Sequence, residues 1–301
     1  MGYTMIQYFK NILVAIDFKE TEQAEIDHAM NLAKLHSSKV TFMSVIPNLR
    51  SDAHLEISAM SPEERLELQL SKRLERLEGV AACVRDEGIE VECIATSGKT
   101  SSLEIIKQVI RGEHDLLMIA ERDSGSLKNK LIGSTARQLL RKTPCPVWAV
   151  HPDHSGSYKH VMATIDVTNH EDINNQSLNE AIIADAVAIA TADHSKLSVL
   201  SIPPNESQKP TQFATIKSCL VDNEIDIDDE HIILEIGDVA TVITENTKKH
   251  DVDLLVMGML SHSGIKGFFI GNTVEKVMDD VECSILTVKP KEFVSPVTLD
   301  D

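Results

Sequence analysis

The sequence predicts an α/β protein built from two tandem copies of one unit. Each copy is a five-stranded parallel sheet of the open, doubly wound, Rossmann-like kind, and the copies are packed as a pseudo-two-fold dimer. Three observations predict it. Stretches of the first half reappear in the second in the same order, each copy holds five short runs rich in Val, Ile and Leu, and segments with helical spacing separate those runs.

The repeat is read from three matches. Asn11 to Asp17 (NILVAID) aligns with His160 to Asp166 (HVMATID) at an offset of 149, and Ser38 to Ser44 aligns with Ser195 to Ser201 at 157. His114 to Ile119 then aligns with Val252 to Met257 at 138, an offset that also carries Ile132-Gly133-Ser134-Thr135 onto Ile270-Gly271-Asn272-Thr273 and Val150-His151-Pro152 onto Val288-Lys289-Pro290. The rise in offset predicts a longer first connection in the second copy, around Glu171 to Gln176. The later fall predicts a contraction of 19 residues between Pro47 and Asp115.

Runs that are apolar without polar alternation suit strands covered on both faces. In the first copy they are Asn11 to Asp17, Lys39 to Ile46, Ile89 to Thr96, Asp115 to Ala120 and Pro146 to His151; in the second, His160 to Asp166, Lys196 to Ile202, His231 to Ile236, Asp253 to Gly258 and Ser284 to Lys289. Helical spacing shows in Ala29, Leu32 and Ala33, and again in Ile183, Ala186, Val187 and Ala190. A long charged helix starts at the cap Ser61-Pro62-Glu63-Glu64. The acidic run Asp222 to Glu230 reads as a surface segment ahead of a strand. Small, polar, breaker-rich residues from His151 to Ser157 read as a linker, which divides the chain into domains 1–154 and 155–301. So short a tether gives each domain a high effective concentration for the other, and their pairing is expected.

With 29 Lys and Arg against 47 Asp and Glu, the net charge of −18 excludes a generally basic, nucleic-acid-gripping surface. No run approaches the roughly 18 apolar residues of a membrane span, and the first residues lack a signal-peptide layout, so a cytoplasmic protein without membrane partners is expected. The odd number of cysteines, five, with no C-x-x-C pair, argues against structural disulfides.

In an open parallel sheet a ligand lies beyond the carboxyl ends of the strands, at the point where strand order reverses. Asp17 and Asp166 end the first strands, where a carboxylate accepts from a ribose hydroxyl or an adenine amine, or else caps the loop that follows. The loop from Gly258 to Gly267, followed by Gly271-Asn272-Thr273 at a helix start, offers free N–H groups for a phosphate, or else glycines fitting turns with Thr273 as a cap. It is neither a Walker A loop nor G-x-G-x-x-G. His151, His154 and His160 cluster at the linker and His262 sits in the glycine loop, but without a fixed frame of three or four ligands no metal is predicted. Lys128, Lys130, Arg137, Arg141 and Lys142 form a basic strip around Gly133 that recruits an anion or, more commonly, is a solvated helix face.

An Asp ending the first strand, a glycine ending the fourth and a Gly-[Ser/Asn]-[Ser/Thr] step opening the last helix resemble the universal stress protein family, whose fold is adenine nucleotide alpha hydrolase-like. The resemblance covers nearly all of the chain, as a tandem member. It implies stress response, and ATP or another adenine nucleotide as ligand where the pattern G-x2-G-x9-G-[S/T] is kept. Carried over, it marks Asp166, Ile202, Gly258, Ser261, Gly271, Asn272 and Thr273 in the second copy. Ser261 replaces the middle glycine and Asn272 the Ser/Thr. The weaker first-copy counterpart is Asp17, Val45, Gly133, Ser134 and Thr135. Ala120 and Asp123 replace its other two glycines, and a carboxylate at Asp123 repels phosphate.

The expected function is a non-enzymatic stress-response protein that holds an adenine nucleotide or another anionic small molecule in its second domain and changes an unidentified protein partner in consequence. No nucleophile signature and no lysine or arginine paired with a metal-binding carboxylate is found. The alternatives are a ligand-free interaction scaffold, or a weak ATP hydrolase or adenylyl transferase. Further homodimerisation is left open.

Overall fold

The computed structural model describes residues 9–18, 23–47, 60–120, 133–152, 156–168, 172–223, 225–259 and 272–301. The first copy runs β1 (Asn11–Ala15), α1 (Gln23–His36), β2 (Lys39–Pro47), α2 (Pro62–Asp86), β3 (Val91–Gly98), α3 (Ser101–Arg111), β4 (Leu116–Ala120), α4 (Ser134–Lys142) and β5 (Val147–Val150). The second runs β6 (His160–Thr164), α5 (Ile173–Asp193), β7 (Lys196–Ser201), α6 (Lys209–Asp222), β8 (Ile232–Leu234), α7 (Val239–Lys249), β9 (Leu254–Gly258), α8 (Asn272–Asp280) and β10 (Ser284–Val288). Every strand expected from an unbroken apolar run is present, because such a run has no face that tolerates water. Ile12, Leu13 and Val14 are all fully buried although they point to alternate faces.

Within each copy the strands are parallel, in the order β3-β2-β1-β4-β5 and its image β8-β7-β6-β9-β10. The two sheets join edge to edge. β5 and β10 pair antiparallel, with Ala149 opposite Ile285, Trp148 opposite Leu286 and Val147 opposite Thr287. A two-fold axis reverses the strand it maps onto its neighbour, so an antiparallel pair is what pseudo-symmetry demands. The result is one ten-stranded sheet, mixed only at its centre.

The offsets between copies have physical sources. α5 has 21 residues and α1 has 14, which takes up the longer first connection. α2 has 25 residues and α6 has 14, which accounts for much of the later contraction. The start of α2 is a full capping box: the Glu64 N–H donates to Ser61 Oγ at 3.1 Å and the Ser61 N–H donates to Glu64 Oε2 at 2.6 Å.

Helices cover both faces, and each face has a core that passes through both copies. One contains Val14, Phe42, Leu77 and Trp148 with Val161, Ile183 and Leu254; the other contains Leu13, Ile106, Leu139 and Val147 with Leu255, Val277 and Ile285. At the seam α1 packs on α5, and the His28 ring stacks on Tyr158 with centroids 4.1 Å apart, beside Trp148. The Trp148 indole N–H donates to the Tyr158 hydroxyl at 3.1 Å.

Two of the linker histidines are held in the sheet. His151 and His160 are buried at strand ends. His160 Nδ1 lies 2.8 Å from the His250 carbonyl, which can only accept, so Nδ1 carries the proton and Nε2 accepts from Ser198 Oγ at 2.8 Å. Burial lowers the pKa of His160 and favours that neutral ring. His154 lies outside the described residues. All five cysteines are free.

Candidate functional site

The strand order reverses between β6 and β9, both of which run parallel with their carboxyl ends on one side. A cleft of about 640 Å³ opens there. Its floor is Thr164, Asp166, Leu200, Ile202, Met257 and Gly258 from the ends of β6, β7 and β9. α5 supplies Asn175, Leu178, Asn179 and Ile182 on one side, and Ile236, Gly237, Val239 and Ile243 form the other, with Val274 from the first turn of α8. Apolar walls with a few polar groups at one end suit a flat ring held by its faces and oriented by its edges.

Asp166 is exposed at the mouth. Its Oδ1 accepts from the Thr168 N–H at 2.8 Å, so the loop-capping role is real, and Oδ2 is left for solvent or a ligand hydroxyl. The Asp166 carbonyl accepts from Asn175 Nδ2 at 2.8 Å and Asn179 Nδ2 at 2.7 Å, and its N–H donates to Asn179 Oδ1 at 3.2 Å. These two asparagines, four apart on the first turns of α5, fix the turn that presents the carboxylate. Sequence reading passed over them, although paired amides on the buried face of a helix carry the signal. It also passed over Gln212 of α6, which is 4% exposed and whose Oε1 accepts from the Ser201 hydroxyl at 3.2 Å while its Nε2 donates to Thr168 Oγ1 at 3.2 Å.

The first copy treats the same place differently. Arg73 of α2 donates to the Asp17 carbonyl at 2.7 Å and to Ser44 Oγ at 3.3 Å, and Ser44 is the counterpart of Ser201. Phe18 stands in a left-handed conformation, φ 58°, with the Arg76 guanidinium 3.9 Å and the Arg73 guanidinium 5.3 Å from its ring centre. Where the second copy has a short neutral amide, the first has two guanidinium groups and an aromatic ring over the end of β1. Val45 is buried in the sheet, and Gly133 precedes α4 as an N-cap with no side-chain cap, with Ser134 and Thr135 in the first turn.

The family profile described as universal stress protein family matches residues 8–151 and again 157–289. The chain belongs to the universal stress protein family. It is similar to universal stress protein E of Salmonella typhi, 24% identical over 97% of this chain and 98% of that protein, and to the universal stress protein E homolog of Haemophilus influenzae, 25% identical over 94% and 98%. Among solved structures its fold is similar to a putative universal stress protein from Pseudomonas aeruginosa (TM-score 0.77, 23% identity, 95% of each chain). It is also similar in fold to one from Archaeoglobus fulgidus (TM-score 0.72, 16% identity, 93% of this chain and 98% of that one).

In this tandem universal stress protein the first pattern glycine, Gly258, is closely packed. A Cβ there would meet Leu178 Cδ2 at 2.8 Å and Ile182 Cδ1 at 2.9 Å. Asn272 and Thr273 open α8 beside the cleft. Ser261, His262 and Gly271 lie outside the described residues, as do Asp123, Lys128 and Lys130. Of the basic strip, Arg137 and Arg141 of α4 are partly buried and pair with Asp279 and Glu275 of α8 across the seam. Among the described residues no group of three or more His, Cys, Asp or Glu is placed to hold a metal ion, and no helix is long and apolar enough to cross a membrane.

Proposed function

We propose that the second domain holds an adenine nucleotide, or another small anion with a flat apolar part, as the sensing step of a non-enzymatic stress-response protein. The observation that carries this is the position of the cleft. It lies at the strand-order reversal of the second copy, with the Asp166 carboxylate at its mouth, apolar side chains along its walls and the first turn of α8 at its far side. The base packs between Ile182, Ile202 and Ile243, Asp166 accepts from ribose, and the phosphates meet the N–H groups that open α8. The first copy, where Arg73, Arg76 and Phe18 stand over the end of β1, has a structural role.

Thermal stabilisation by ATP, ADP and AMP tests the reading. Stabilisation that is lost in Gly271→Asp, which sets a carboxylate just ahead of α8, supports it. Equal stabilisation of parent and variant removes the ligand from that end of the cleft. Mass spectrometry of ligand released from the purified protein separates a nucleotide from a ligand-free scaffold, and steady product formation from ATP would favour the hydrolase alternative.

A further inference from the structure

The offset of 138 that relates the later parts of the two copies carries Arg137 onto Glu275 and Arg141 onto Asp279. The contacts seen are Arg137 with Asp279 and Arg141 with Glu275, so each ion pair is the pseudo-two-fold image of the other. α4 and α8 therefore meet antiparallel at the axis with basic groups on one side and acidic groups on the other. A first copy facing a second first copy would set Arg137 against Arg141 twice; a second copy facing itself would set Glu275 against Asp279 twice.

The opposite face of the sheet holds one pair of the same sense. There the relevant offset is 157, which carries His28 onto Asp185 and His36 onto Asp193. His28 Nδ1 lies 3.7 Å from Asp193 Oδ2, and Asp193 also accepts from the Tyr158 N–H at 2.9 Å and from Asn31 Nδ2 at 3.4 Å. In this pair too the first copy supplies the imidazole and the second the carboxyl group, in helices that pack together. The asymmetry extends to the whole chain. Residues 1–154 carry 19 Lys and Arg against 22 Asp and Glu, a net −3, whereas residues 155–301 carry 10 against 25, a net −15.

We propose that the α4 surface is a recognition face for an acidic helix, and that its partner is α8 of the same chain, selected over a second copy of either half. Selectivity is a difference between two pairings, and here like-with-like pairing is penalised by repulsion as much as unlike pairing is favoured. The four side chains are between a quarter and two-fifths exposed, which weakens each pair without abolishing it. The inference is independent of any ligand in the cleft.

Trp148, the only tryptophan, lies buried on the seam and reports its opening by emission. Arg137→Glu with Arg141→Asp makes the α4–α8 contact all acidic, reproducing the second copy against itself. Glu275→Arg with Asp279→Arg makes it all basic, reproducing the first copy against itself, and the four changes together exchange the signs. Each reversal is expected to lower the Trp148 unfolding midpoint by about 3 °C or more, with a smaller loss in 1 M salt, and the four-fold exchange to recover most of that loss. Reversals that leave the midpoint within about 1 °C of the parent, or an exchange no more stable than the reversals, overturn the proposal.

Discussion

Lys289 follows the last strand and is 8% exposed; among the described residues its Nζ has no hydrogen-bond partner, and the Phe293 ring lies 5.4 Å away as a cation-π contact. Burial lowers its pKa from 10.5 to about 8. Between those values the unfolded chain binds more protons than the native one, so stability rises with pH through the window from 8 to 10.5 and the full penalty applies below it. At neutral pH the penalty is about 3 kcal/mol, because each tenfold loss of proton affinity on folding costs roughly 1.4 kcal/mol. Lys289→Met is therefore expected to unfold at higher urea at pH 7 and to lose that advantage by pH 11, which denaturation at the two pH values measures. Asp185, fully buried on α5 with both oxygens unpartnered among the described residues, has its pKa raised well above 3.8 by desolvation and, to a lesser degree, by Asp115. Here the native state keeps a proton that the unfolded state releases. Asp185→Asn should be the more stable protein at pH 7 and no more stable below pH about 3.8; a gain that persists in acid would mean that packing, not ionisation, separates the two.

The inner strands were legible because each is a short apolar run covered on both faces, the edge strands β3 and β8 are less buried, and the unequal helix pairs α1 with α5 and α2 with α6 showed as changes of offset. Gly258 was legible as a glycine, and beyond lining the cleft its missing side chain leaves room for Leu178 and Ile182 of α5. Gly258→Ala should cost about 1–3 kcal/mol by overpacking in urea unfolding without any ligand present, and an unchanged midpoint would return the glycine to the ligand. The contacts of Arg73 at the end of β1 were not legible, since it reaches Asp17 across 56 residues of sequence and no local pattern announces a long side chain's destination. Arg73→Met keeps the apolar stem and removes the donors to the Asp17 carbonyl and Ser44 Oγ, so a loss of about 1–3 kcal/mol is expected by the same measurement. A neutral result would show that Arg76 over Phe18 suffices to hold the turn.

At the scale of the molecule, tandem halves were expected to pair, but the manner of pairing depends on edges that sequence periodicity does not label. β5 and β10 each have one parallel neighbour, and their remaining edges would be open rows of N–H and C=O groups in either half alone. Joining them antiparallel satisfies both rows at once. The seam is tied further by the Ser284 hydroxyl accepting from the His151 N–H at 2.9 Å, and by Lys107 of α3, which donates to the Asp301 carbonyl after Phe293 and Val297 have been buried. Because both cores cross the seam, neither half can lose its packing without exposing the other's, and the chain is expected to unfold in one transition despite its two copies. Calorimetry should give a calorimetric enthalpy equal to the van't Hoff value for all 301 residues, with Trp148 emission and far-ultraviolet dichroism changing together. Two resolved transitions, with Trp148 following only the first, would mean that the β5–β10 junction opens before either half unfolds, and that the central pair is a contact between two domains, not the middle of one sheet.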